Sequence, residues 1–138
     1  MTFLEDILGV LEKADRPVLQ EIRGGDFVAV TGPQLLAQVA QARAALRKLR
    51  LKKGERCALL AHNSIQWVAM DLAIMAEGLI VVPLYARQSP AELVAMMKDC
   101  WPSAICCGDQ ALSDSIGKLW SDGPPHIRMD DVFERDAA

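Results

Sequence analysis

Between Gly54 and Tyr85 the chain reads GERCALLAHNSIQWVAMDLAIMAEGLIVVPLY, with almost no residue to spare for loops. Arg56 to Ala61 is a short apolar run, too compact for an amphipathic helix. Asn63 and Ser64 carry side chains that cap helices, and Ile65 to Glu77 is apolar on nearly every face until Gly78 stops it. Leu79 to Leu84 is a second apolar run, with the β-branched content that a buried strand favours. Two apolar strands joined by a helix make a βαβ unit. Strands covered on both faces read as continuous apolar runs rather than as alternation.

The flanks extend this pattern. Phe3 to Ala14 reads as a helix, with Phe3, Ile7, Leu8, Val10 and Leu11 as its apolar stripe. Pro17 to Ile22 and Asp26 to Val30 are short strands around Arg23-Gly24-Gly25, a hairpin signal. Thr31 opens a second helix, with Gln34 completing a capping box and Pro33 tolerated in the first turn. Its stripe is Leu35, Val39, Ala42, Leu46 and Leu49, and it ends near Arg50. Beyond the central unit, Ser89 caps a helix that starts with Pro90 and runs from Ala91 to Asp99, before Trp101-Pro102 breaks it. Ala104 to Cys107 is a strand, Gln110 to Leu119 a helix capped by Asp109, and His126 to Met129 a last strand. Asp130 to Ala138 is polar and expected to fray. The expected fold class is α/β: an open, mostly parallel sheet of βαβ units with flanking helices, preceded by a helix and a β-hairpin. All 138 residues are expected to form a single domain, with helix, hairpin and helix in 1–50 and the βαβαβ core in 51–130.

Composition narrows the function classes. A chain that is 51% hydrophobic and 24% charged has enough apolar residues for a real core. Aromatic residues make up 5%, which argues against base-stacking platforms, and the net charge of −3 gives no reason to expect a nucleic-acid partner. The cluster Arg43, Arg47, Lys48, Arg50, Lys52, Lys53 and Arg56 reads as cations at the carbonyl end of a helix. Val68 to Ala86 approaches the length of a membrane span, but Asp71 and Glu77 interrupt it, so no span is expected. The N-terminus has no basic leader and carries acids early, unlike a secretory signal or transit peptide. Cys57, Cys100, Cys106 and Cys107 form no CxxC pair and are expected to be reduced, mostly buried thiols in a cytoplasmic protein. Cys106 and Cys107 should face opposite sides of their strand. His62 and His126 lack ligand spacing, so no metal site is expected.

Chemistry in an open parallel sheet sits beyond the carboxyl ends of the strands. The first such end is Ala61-His62-Asn63-Ser64, at a helix N-terminus where anions can bind. It has no glycine, and neither GxGxxG nor GxxxxGK[ST] occurs in the chain. Asn63 or Ser64 there reads first as a helix cap. His62, Ser64 and Asp71 do not make a credible triad, since Ser64 lacks a GxSxG elbow. The second end, Pro83 to Arg87, could bring Tyr85 and Arg87 to a cleft, although the simpler role for Tyr85 is a packed ring with a bonded hydroxyl. On residue chemistry alone the chain is an α/β domain without a visible active site.

The order of residues says more. Leu51-Lys52-Lys53-Gly54-Glu55-Arg56-Cys57-Ala58, then Asn63, Trp67, Glu77-Gly78, Val81-Val82-Pro83-Leu84-Tyr85 and Ser89-Pro90-Ala91-Glu92-Leu93, resembles the N-terminal part of AMP-forming acyl-CoA synthetases of the adenylate-forming ligase superfamily. The Pro-Leu-Tyr version resembles the fatty-acyl-CoA synthetase branch. At Thr31-Gly32-Pro33-Gln34-Leu35 the chain departs from the family's Thr-Tyr-x-Glu-Leu helix start. The resemblance implies a ligase that uses ATP, Mg²⁺ and coenzyme A to turn a fatty acid or other carboxylate into an acyl-adenylate and then a thioester. The family's phosphate loop, ribose-binding Asp and C-terminal Lys have no counterpart here. No catalytic, cofactor-binding or metal residue is therefore carried over. The chain is expected to be an N-terminal piece of such a ligase, inactive alone. Its main partner would be the remainder of the parent, and exposed apolar surface would favour self-association. The alternative is a stand-alone, non-catalytic α/β binding or regulatory module.

Overall fold

The computed structural model describes residues 3–134. Its first elements are helix α1 (Phe3–Glu12), strands β1 (Pro17–Arg23) and β2 (Asp26–Thr31), and helix α2 (Gly32–Arg47). There follow β3 (Arg56–Leu60), α3 (Ile65–Ala76), β4 (Ile80–Leu84), α4 (Pro90–Cys100), β5 (Ala104–Cys107), α5 (Gln110–Leu119), β6 (His126–Arg128) and α6 (Met129–Glu134). β1 and β2 form an antiparallel hairpin whose tip residues Gly24 and Gly25 take φ +58° and +89°, as a tight hairpin turn requires. The other four strands form one parallel sheet in the order β4-β3-β5-β6. This is the expected α/β architecture.

Each helix start has a chemical cause. Thr31 N–H donates to Gln34 Oε1 at 2.8 Å and Gln34 N–H to Thr31 Oγ1 at 3.3 Å, a complete capping box. Ser64, Ser89 and Asp109 accept from the N–H groups of Trp67, Glu92 and Leu112. Each such cap is worth about 1 kcal/mol.

The sheet divides the core in two. Cys57 and Leu59 of β3 and Ala104 and Cys106 of β5 face α2, α3 and α6, where Leu35, Val39, Leu46, Met70, Ile74 and Phe133 pack. Ala58, Leu60, Ile105 and Cys107 face α4 and α5, against Leu93, Met97, Ile116 and Trp120. Cys106 and Cys107 do point to opposite faces. Helices thus cover both faces of β3 and β5, and every residue of those strands except Arg56 is fully buried.

Three expectations need correction. β4 is not a buried strand but an edge of the sheet among the described residues: Ile80 is 52% exposed and Pro83 is exposed. An apolar run cannot distinguish centre from edge, whereas a proline can, because it has no N–H for a ladder. Ile80 N–H donates inward to Glu55 O, so the backbone groups of Val81 and Pro83 face outward, and the missing donor falls on the open side. Next, α1 packs through Leu4, Ile7 and Leu11, while Phe3 and Val10 face solvent. Last, 130–134 is not frayed but helical, because Met129 and Phe133 are buried against the core. Residues 135–138 lie outside the described range.

Candidate functional site

The two strand ends marked in the sequence come together. Ala61, His62 and Asn63 after β3, with Trp67 of α3, face Pro83 to Arg87 at the end of β4 across a cleft of about 410 Å³. Apolar walls come from Ala61, Trp67, Pro83 and Leu84. Polar groups come from His62, Asn63, Tyr85 and Arg87. Arg87 is the one permanent charge, and no carboxylate lines the cleft. Its size and mixed lining suit part of a small-molecule site.

The cleft is not at the switch point of the sheet, between β3 and β5, where open α/β folds tend to bind ligands. At that point the two strand ends stay paired and closely approached. Gly108 N–H donates to Leu60 O at 2.9 Å, and a Cβ on Gly108 would lie 3.3 Å from the Ala61 methyl.

The N-terminus of α3 borders the cleft but is already occupied. Ser64 Oγ accepts from Trp67 N–H at 3.0 Å, so Ser64 is the cap and Asn63 is left to line the cleft. Ile65 N–H donates to Glu21 Oε1 at 3.1 Å. Glu21 comes from β1, so the hairpin delivers a carboxylate to the positive end of α3. Arg23 pairs with the same oxygen at 2.8 Å. Sequence reading missed Glu21 because its partner is 44 residues away and no local signal links them.

The other candidates resolve into structural roles. His62, Ser64 and Asp71 do not form a triad: Ser64 is engaged as a cap, and Asp71 lies two turns into α3, where burial raises its pKa. Tyr85 is not a packed ring; it is 72% exposed at the mouth of the cleft. Within the basic cluster, Arg43 and Arg47 bind one carboxylate, Glu77, at 2.6 and 3.0 Å, and Arg56 donates to the carbonyl of Cys100 that ends α4. Ser113 Oγ lies 2.7 Å from His126 Nδ1, with the His126 pKa lowered by burial, but this pair is remote in sequence from the cleft residues and lines none of it. Among the described residues no group of three or more His, Cys, Asp or Glu is placed to hold a metal ion.

All four cysteines are free thiols. Cys57 and Cys106 have their sulfurs 3.5 Å apart in the core, and the hydrogen bond with Cys57, with burial, pushes the Cys106 thiol well up. Burial, then the charge of Asp109, pushes Cys107 up to about 12. Cys57, Cys106 and Cys107 are fully buried, so reagents cannot reach them in the folded chain and these three should resist modification. With Ellman's reagent at pH 8 the native chain is expected to release one equivalent quickly, from half-buried Cys100, and the rest only on unfolding. Rapid release of all four would contradict this burial.

The family model for AMP-binding enzymes matches residues 10–135. The hybrid PKS-NRPS synthetase thnA of Trichoderma harzianum is 30% identical over 121 residues, 88% of this chain and 3% of that protein. The long-chain-fatty-acid–CoA ligase FadD15 of Mycobacterium tuberculosis is 26% identical over 62% of this chain and 14% of its own length. The chain therefore spans a small part of these relatives. Among solved structures, VinN superposes with a TM-score of 0.78 at 23% identity, over 96% of this chain and 33% of VinN. ATP-bound MatB from Rhodopseudomonas palustris does so with a TM-score of 0.67 at 22% identity, over 90% of this chain and 25% of MatB. The parallel sheet, the helices on both its faces and the hairpin before it are thus those of the adenylate-forming fold, and the match to the family model runs from α1 through α6: this chain belongs to the AMP-binding enzyme family.

Proposed function

We propose that this chain is the N-terminal part of the large domain of an ATP-dependent carboxylate–CoA ligase, with a fatty acid as the substrate class. The parent would use ATP and Mg²⁺ to form an acyl-adenylate and coenzyme A to form the thioester. Its own contribution is scaffold: the central sheet and one wall of a cleft at the carboxyl ends of β3 and β4. The observation that carries this reading is that cleft, which has a basic and apolar lining but neither a carboxylate nor a glycine-rich loop. The described residues hold no group of acids placed to fit a magnesium ion, so the metal and the phosphates would be held by other sequence. The fatty-acyl–CoA ligase relatives support the substrate class, and free thiols support a reducing, cytoplasmic setting. No helix among the described residues is long and apolar enough to cross a membrane. Partners would be the remainder of the parent and further copies of this chain.

The hybrid synthetases, 30% and 32% identical over 88% and 75% of the chain, favour a second reading, an amino-acid-activating domain. Pyrophosphate release with fatty acids and with amino acids separates the two when measured on the parent. The 138-residue chain alone is expected to give no release above blank with either. Turnover by this chain would overturn the scaffold reading.

A further inference from the structure

α1 carries two apolar lines. Leu4, Ile7 and Leu11 face the core. Phe3, Ile7, Val10 and Ala14 follow one another at helical spacing along the adjoining flank, with Phe3 81% and Val10 69% exposed. Beyond Glu12 a tighter 3₁₀-type turn, with Lys13 and Ala14 N–H donating to the carbonyls of Val10 and Leu11, carries Lys13 and Ala14 on close beside the last turn of α1. Two hollows lie along this flank. One is lined by Phe3, Asp6, Ile7, Val10 and Leu11. The other is lined by Val10, Lys13, Ala14, Asp15 and Arg16.

We propose that this flank is a self-pairing surface, on which two copies of the chain meet with their α1 helices antiparallel about a two-fold axis near Val10. The proposal does not rest on the ligase reading. A two-fold interface must be complementary to itself, each residue meeting what its own counterpart meets. This flank meets that condition twice. Phe3 is an exposed ring at one end, and the hollow at Ala14 and the Arg16 stem lies at the other, so reversal places each ring over the other copy's hollow. Asp6 and Lys13 stand two turns apart on the same side of the line. In an antiparallel pair, like sides face one another in reverse order, so Asp6 of each copy meets Lys13 of the other. A parallel pairing would put the Asp6 and Lys13 side of each copy on opposite sides of the seam, where neither acid meets a lysine. The charges therefore select the orientation while Phe3 and Val10 supply the buried area.

Sedimentation equilibrium of the full 138-residue chain tests this. The expected result is a reversible monomer–dimer equilibrium. Asp6→Lys should raise the dissociation constant about tenfold by opposing like charges at both ends. Adding Lys13→Asp to that variant should return it to within about threefold of the parent value. Val10→Asp should abolish the dimer, and because Val10 is largely exposed, circular dichroism should show the fold retained. A monomer at every concentration overturns the proposal, as does a dimer indifferent to Asp6→Lys or a double variant no better than the single one. A monomer in which amide exchange of α1 slows only on adding the remainder of the parent ligase assigns the flank to that occupant, and likewise overturns it.

Discussion

Replacing Gly32 with alanine should cost about 3 kcal/mol or more, the range of severe overpacking at a site that cannot relax. Gly32 opens α2 at the point where the chain passes under the end of α1. A Cβ there would sit 1.9 Å from Leu11 O and 3.0 Å from the Ala14 methyl. The backbone cannot swing aside freely, because Gly32 N–H donates to Ala14 O at 2.9 Å. Relief would require displacing α1, which packs on the core through Leu4, Ile7 and Leu11. Urea unfolding followed by far-ultraviolet circular dichroism measures the loss. Gly117→Ala is the control. It lies inside α5 with nothing within 4 Å of its added methyl, and should gain up to about 1 kcal/mol in helix propensity. Equal behaviour of the two variants would mean that the end of α1 does not pack against Gly32.

The second large effect is expected at Glu77. This acid sits at the carbonyl end of α3, where the helix dipole opposes it. Burial also opposes its charge, but hydrogen bonds from Arg47 and Arg43 outweigh both and hold the carboxyl below its ordinary range. The side chain is 15% exposed, against 32% for Arg43 and 64% for Arg47, so solvent weakens the outer arm of the fork. Glu77→Gln should cost about 1.5 kcal/mol at pH 7. Because the folded pKa lies below the unfolded one, this stabilisation is full above the ordinary value of 4.5 and fades as pH falls through the folded value. The gap between parent and variant in urea midpoint should therefore shrink at pH 3.5. A gap unchanged between pH 7 and 3.5 would trace the loss to shape rather than charge.

The elements were legible wherever the deciding information was local. The capping box at Thr31 and Gln34, the caps at Ser89 and Asp109, and the continuous apolar runs of β3 and β5 all act within a few residues, and each took its expected place. Long-range geometry was not legible. Glu21 reaches α3 only because the hairpin folds back on it, and Tyr85 is exposed because it follows an edge strand rather than a central one. The short, acidic run after Arg128 looked too polar to hold. Met129 and Phe133 hold it, on one side of a single helical turn. Position alone makes the two strand ends places for chemistry. That they share one cleft required the order β4-β3, which no local pattern contains.

Pro83 has a consequence for the chain during its synthesis. A parallel sheet assembled from the N-terminus must wait for later strands, and translation adds only about 5–20 residues per second. The outward side of β4 stays open throughout, because β5 and β6 add on the far side of β3, and during that interval it lies beside many identical nascent chains. Along its outward side Val81 offers a donor and Pro83 offers none, so a neighbouring strand that began to zip there would meet a gap within two residues. The missing donor makes that side of the sheet a poor template for a strand of another chain.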